Sequence, residues 1–203
     1  MKYIKVPYLD QTANGAFTGC ESVSAVMLLH YLGFPLTIEE FIGKYLDRED
    51  FERRGGVLYG PDPRDAFAGN PFDAESMGCY APVIRRSLER VLGPDRTVRD
   101  ETGSTVPSLC RRYIDKDMPV VIWATINMQN AVTGPTWKLK KSGEYFTWRS
   151  REHCLLLVGY TDEAYILNDP WQGNGIIRVP RALFEDRFRQ QYRQAVAVLP
   201  AEK

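Results

Sequence analysis

The chain predicts an α+β fold, helices first and an antiparallel sheet second, on three observations. Apolar runs with helical punctuation occupy the stretch up to Asp115, and apolar, strand-like runs follow from Pro119 onward. A three-residue turn, Thr161-Asp162-Glu163, then joins two of the strand-like runs as a hairpin, which makes that pair antiparallel.

The elements follow in chain order. Met1 to Pro7 enters directly into strand-like alternation. A first helix, about Cys20 to Leu32, is stopped by Gly33, which suits the left-handed residue after a helix end. Thr37-Ile38-Glu39-Glu40 reads as a capping box, with Thr37 and Glu40 satisfying each other's backbone donors, and starts a second helix, Ile38 to Leu46. Pro82 and Pro107 sit at first-turn positions of a third helix, ended by Gly93-Pro94 after Val91, and of a fourth, Ser108 to Asp115. Strands are expected over Pro119 to Ile126, His153 to Tyr160, Ala164 to Asp169, Gly175 to Val179 and Gln194 to Leu199, with a short helix, Arg181 to Arg189, before the last. The run His153 to Tyr160 is apolar on both faces, so it belongs in the middle of a covered sheet.

Cys20 is the residue where chemistry enters. It stands in Thr18-Gly19-Cys20-Glu21, where a loop opens into the first helix, and the positive end of a helix favours thiolate over thiol. Cys79, Cys110 and Cys154 read as core thiols, since free cysteine is among the most buried residue types. Of the two histidines, His30 lies ten residues along the same helix, about 15 Å of rise from Cys20, and cannot serve it. His153 is the remaining base. Its orienting partner is Asp169, which a hairpin brings beside it; Asn168 is the fallback, while the pleat turns Glu152 to the other face. The order is nucleophile, base, orienter, and 133 residues separate Cys20 from His153, inside the roughly 130–150 of papain-like enzymes.

These segments carry a resemblance. Val6-Pro7-Tyr8-Leu9-Asp10-Gln11, Gly19-Cys20-Glu21-Ser22, His153-Cys154-Leu155-Leu156-Leu157-Val158-Gly159-Tyr160 and Asn168-Asp169-Pro170 resemble the bacterial papain-like cysteine peptidases related to bacteriocin-processing, double-glycine leader peptidases. Asp62-Pro63 with Ala66-Phe67-Ala68-Gly69-Asn70-Pro71, and Gly78-Cys79-Tyr80-Ala81-Pro82-Val83-Ile84, resemble the stand-alone members, which carry no transporter or nucleotide-binding segment. The resemblance implies a papain-like fold with the nucleophile helix packed on the sheet that carries the base. It further implies catalytic roles for Cys20, His153 and Asp169, and an oxyanion-stabilising amide from Gln11, which otherwise reads as a polar residue ending an edge strand. Gly19, Tyr80, Trp148 and Asn168 are the candidate substrate-binding residues. The implied activity is peptide hydrolysis through a thioester on a peptide or protein substrate, without a cofactor. Acyl or peptidyl transfer by the same residues, and a non-catalytic peptide-binding module, are the alternatives.

Composition narrows the remaining classes. A single domain of 203 residues buries about 70% of its unfolded surface, and no linker divides this chain. Lys and Arg number 26, as do Asp and Glu, and the charges are interspersed, which argues against a nucleic-acid partner. Four cysteines without a Cys-x-x-Cys pair make neither a disulfide framework nor zinc-ligand spacing, so no metal is expected. No apolar stretch reaches the ~18 residues of a membrane span, and the N-terminus has no signal-peptide core; the chain as given reads as cytoplasmic, with secretion the alternative for a trimmed chain. Two stretches, Arg53 to Gly78 and Thr133 to Glu152, read as long irregular segments. The aromatics of the second, Trp137, Tyr145, Phe146 and Trp148, suit either a wall gripping an extended peptide or a satellite core.

Overall fold

A computed structural model describes residues 1–200. The helices are α1 (Cys20–Tyr31), α2 (Ile38–Lys44), α3 (Ala81–Leu92), α4 (Val106–Arg112) and α5 (Arg181–Gln190). The strands are β1 (Lys2–Tyr3), β2 (Arg48–Glu49), β3 (Glu52–Arg54), β4 (Val57–Gly60), β5 (Phe67–Ala68), β6 (Arg96–Asp100), β7 (Val120–Thr125), β8 (Val132–Leu139), β9 (Tyr145–Ser150), β10 (Glu152–Tyr160), β11 (Ala164–Asp169), β12 (Gly175–Pro180) and β13 (Ala195–Pro200).

The main sheet runs β12-β11-β10-β7-β13-β6, antiparallel throughout, with β10 in its interior as its two-faced apolar run predicts. β1 pairs with the end of β10 at Gly159 and Tyr160, on the edge that β7 has vacated beyond Leu157. Gly159 is required there. A Cβ at that position would lie 2.4 Å from the Lys2 carbonyl oxygen, so a side chain would push β1 away.

α1 is the central helix. Every residue from Cys20 to Leu29 is buried, polar ones included, so it is covered on all sides rather than amphipathic. It packs on β10 and β7, α5 packs on β7, β11 and β12, and the uninterrupted burial of β7 and β10 shows both sheet faces covered. The fully buried side chains of Val23, Met27, Leu28 and Leu29 each contribute about 1.5–3 kcal/mol of transfer free energy toward holding this helix in place. Its end is set by Gly33 at φ 88°, and α2 begins with the expected reciprocal bonds between Thr37 and Glu40.

Most of the stretch 133–152 and the start of the stretch 53–78 are instead built into a second sheet, β3-β4-β8-β9, while residues 61–78 are irregular as expected apart from β5, which pairs with β2. The strand signal was weak for a physical reason. β8 contains Gly134 and Pro135, which fall in a register shift between Thr133 and Thr136, and only Trp137 and Leu139 of its residues are buried, so neither periodicity nor burial marks it. Behind this sheet lies a satellite core of Ala68, Tyr80, Trp137, Leu139 and Trp148. Tyr80 stacks on Trp148 with ring centres 5.3 Å apart, and the Trp137 indole N–H donates to the Pro61 carbonyl at 2.9 Å. β6, which closes the main sheet, also escaped the sequence reading, because Arg96–Asp100 holds a single buried residue, Val98. Among the described residues, no helix is long and apolar enough to cross a membrane.

Candidate active site

Cys20 is the first residue of α1, after Gly19, which offers no side chain to cap the helix. The backbone N–H groups of the first turn have no partner within the helix and point toward whatever lies before it. Only 5% of Cys20 is exposed. Its thiol donates to Glu21 Oε2 at 3.3 Å, and its sulfur accepts the Cys154 backbone N–H at 3.3 Å.

This environment works against a resting thiolate. Burial pushes the Cys20 thiol well above its ordinary value, and the neighbouring Glu21 and Glu152 carboxyls push it further. The helix terminus supplies only a fraction of a charge, which is a smaller effect than full desolvation. Glu21, itself without solvent exposure, is raised to about 7 by burial, against the bond its Oε1 accepts from the Cys79 N–H at 2.6 Å. Glu152 is raised well above the carboxylate range by burial and by Glu21.

His153 lies in β10, opposite Ala124 of β7, and is 1% exposed. Its Nε2 and Asp169 Oδ1 are 2.6 Å apart. A neutral ring donates that hydrogen from Nε2, which leaves Nδ1 as the nitrogen able to accept a proton. The two residues are not direct cross-strand partners. The register pairs Leu156 with Asn168, which sets Asp169 level with Leu155, on the same face as His153 and one diagonal step away. The same carboxylate accepts the Trp171 N–H at 2.9 Å on Oδ1 and the Asn174 side-chain amide at 2.9 Å on Oδ2. Burial works to raise Asp169, but the His153 charge and these donors bring it below the usual value, so it stays ionised. Trp171 also lies edge-on to the imidazole at 5.9 Å.

Cys20 and His153 share one cavity of about 250 Å³, with Gln11, Trp148, Glu152 and Trp171 among its walls. Gln11 is 1% exposed, and its Nε2 donates to the Phe17 carbonyl at 2.9 Å, which fixes the amide at the cavity edge. It lies in a turn, so it does not end an edge strand. Of the four candidate substrate-binding residues, Trp148 alone borders this cavity. Tyr80 belongs to the satellite core and faces a separate cavity, Asn168 is wholly interior with its amide 3.5 Å from the Val6 carbonyl, and Gly19 packs against Ala16 and Pro71. Sequence reasoning missed Glu21 and Trp171. Adjacency to Cys20 and to the Asp169-Pro170 pair was the only signal for either. Asp169, not Glu152, is the carboxylate bonded to the His153 ring, and the place of Glu152 beside Cys20 was not foreseen.

A thiol at the start of a buried helix and an imidazole–carboxylate pair on the facing sheet define the architecture of papain-like cysteine peptidases. The chain belongs to the Peptidase_C39 like family, whose model matches residues 3–196. It is 28% identical over 191 residues to the uncharacterized protein YvpB of Bacillus subtilis (strain 168), covering 94% of this chain and 73% of YvpB. Among solved structures it is similar to a putative C39-like peptidase from Bacillus anthracis, with a TM-score of 0.84 at 25% identity and full coverage of both chains. It shares its fold with a double glycine motif protease from an AMS/PCAT transporter, solved in complex with the leader peptide, at a TM-score of 0.51 and 13% identity, covering 98% of this chain and 92% of the other. The peptidase domain of Streptococcus ComA matches equally, with a TM-score of 0.51 and 12% identity over 99% of each chain.

Proposed function

We propose that the protein is a cysteine peptidase in which Cys20 is the nucleophile, His153 the general base and Asp169 the residue that orients it. The observation that carries this reading is a single cavity bordered by both Cys20 and His153, with the His153 Nε2 engaged by Asp169. In the reaction, the thiol turns from Glu21 toward His153 and gives its proton to Nδ1 as the sulfur attacks a peptide carbonyl. The resulting oxyanion is met by the Cys20 backbone N–H and the remaining Gln11 amide hydrogen. His153 then returns the proton to the leaving amine, and water releases the acyl group from sulfur. The substrate is a peptide or protein segment, supported by the leader peptide bound to the double glycine motif protease of the same fold. Trp148 forms the wall along which such a chain lies.

The thiol's bond to Glu21 favours one other reading, a peptide-binding module whose cysteine stays idle. Peptide-library cleavage by the wild type and by Cys20→Ala, with iodoacetamide labelling of wild type and His153→Ala, separates the two. Cleavage that needs Cys20, together with Cys20 labelling that slows on loss of His153, is the expected result. No cleavage, with Cys20 labelling no faster than Cys79 or Cys110, refutes the enzyme reading.

A further inference from the structure

Three acidic side chains that the peptidase reading does not employ together converge beside the cavity. One ligand atom from each of Cys20, Glu21 and Glu152 lies within 4.8 Å of the other two, and all three residues are buried. Glu152 is 7% exposed and its Oε1 has no hydrogen-bond partner. Gly78 gives the carboxyl pair its room: a Cβ there would stand 2.6 Å from Glu21 Oε1 and 3.1 Å from Glu152 Oε2.

We propose that Cys20, Glu21 and Glu152 form a binding site for a thiophilic divalent cation of the zinc class, held by one thiolate sulfur and two carboxylate oxygens. The donor set selects the ion. Thiolate sulfur is a poor ligand for magnesium or calcium and carboxylate oxygen a poor one for copper(I), whereas zinc accepts both. The geometry is close to what such an ion needs. Tetrahedral bonds of about 2.3 Å to sulfur and about 2.1 Å to oxygen set those two atoms about 3.6 Å apart. Cys20 Sγ and Glu21 Oε2 already stand at 3.3 Å, and the Cys79 N–H holds the other Glu21 oxygen so that Oε2 faces the sulfur. Glu152 closes the triangle by a small side-chain movement. Cys20 and Glu152 both border the cavity, which provides the path of entry and a fourth position for water.

On binding, the cation displaces the thiol proton and carboxyl protons to solvent and fixes the sulfur away from His153. Zinc would thus mask the nucleophile reversibly. That consequence rests on the proposed role of Cys20, whereas the binding itself does not.

The test uses the intact protein with zinc or cobalt(II) as the probe. Calorimetry with zinc, the sulfur-to-cobalt charge-transfer band, and protection of Cys20 from iodoacetamide are measured for wild type, Glu152→Gln, Glu21→Gln and His153→Ala. One equivalent bound with a thiolate band, affinity lowered about tenfold or more in either glutamine variant, and retention of binding in His153→Ala are expected. Two glutamine variants keep the test decisive where one fails to fold. Binding lost in His153→Ala but unchanged in both glutamine variants would place the ion on Cys20 and His153 and overturn the proposal, as would the absence of any thiolate band. Zinc binding as expected in a protein that, once stripped of metal by a chelator, cleaves no peptide and labels Cys20 no faster than Cys79 or Cys110 would refute the peptidase reading and leave this site standing.

Discussion

Replacing Glu21 by Gln is expected to stabilise the protein in alkaline solution and to leave it nearly unchanged in acid. Glu21 is fully buried and its pKa rises from 4.5 to about 7 on folding, mainly by desolvation. A carboxyl with a folded pKa above its unfolded one binds protons more readily in the folded state, so its contribution is intact below pH 4.5 and is lost as pH climbs to about 7. At about 1.4 kcal/mol per pH unit, that interval amounts to roughly 3 kcal/mol. For a chain of this size it corresponds to roughly 6–12 °C in Tm. Glutamine keeps an oxygen to accept the Cys79 N–H and cannot ionise, so it removes the pH-dependent part alone. Urea unfolding followed by tryptophan fluorescence at several values between pH 4.5 and 8 measures the difference in stability between the two proteins. It should widen steadily in favour of Glu21→Gln as pH rises. A difference that does not change with pH would mean that Glu21 ionises in the folded protein as easily as in water, and would refute the assignment of its burial as the dominant effect.

Two further outcomes are expected. Asp169→Asn should leave the fold intact and keep the His153 tautomer, since an amide oxygen at the Oδ1 position still accepts the Nε2 hydrogen, but should lower peptide turnover by about tenfold or more through loss of the charge that stabilises protonated His153; steady-state kinetics would show it as a fall in kcat. Gly159→Ala should cost about 1–3 kcal/mol by driving a methyl group into the Lys2 carbonyl. Hydrogen exchange should localise the damage, with the Ile4 amide losing protection from its 2.8 Å bond to the Val158 carbonyl.

Much of the fold and of the site was legible from local patterns. The reciprocal pair Thr37 and Glu40, Gly33 past the first helix and the unbroken apolar run into Tyr160 each depend on residues near one another in sequence, and each was found where expected. β3, β4, β8 and β9 were not legible, because half-exposed strands show little periodicity, Gly134 and Pro135 interrupt β8, and the parallel pairing of β4 with β8 joins distant parts of the chain. Tyr80 shows the same limit. An aromatic in a loop segment looks available for substrate, and only its stacking on Trp148 makes it a core residue.

By itself the sequence determined the family and the order in which a thiol, an imidazole and a carboxylate occur, since these are properties of residue types and spacings. It could not determine the electrostatics around the sulfur. A helix start favours the anion, and tertiary packing opposes it, by closing water out and setting Glu21 and Glu152 beside the sulfur. The physical reason is that desolvation depends on everything folded around an atom, whereas a motif records only its neighbours along the chain.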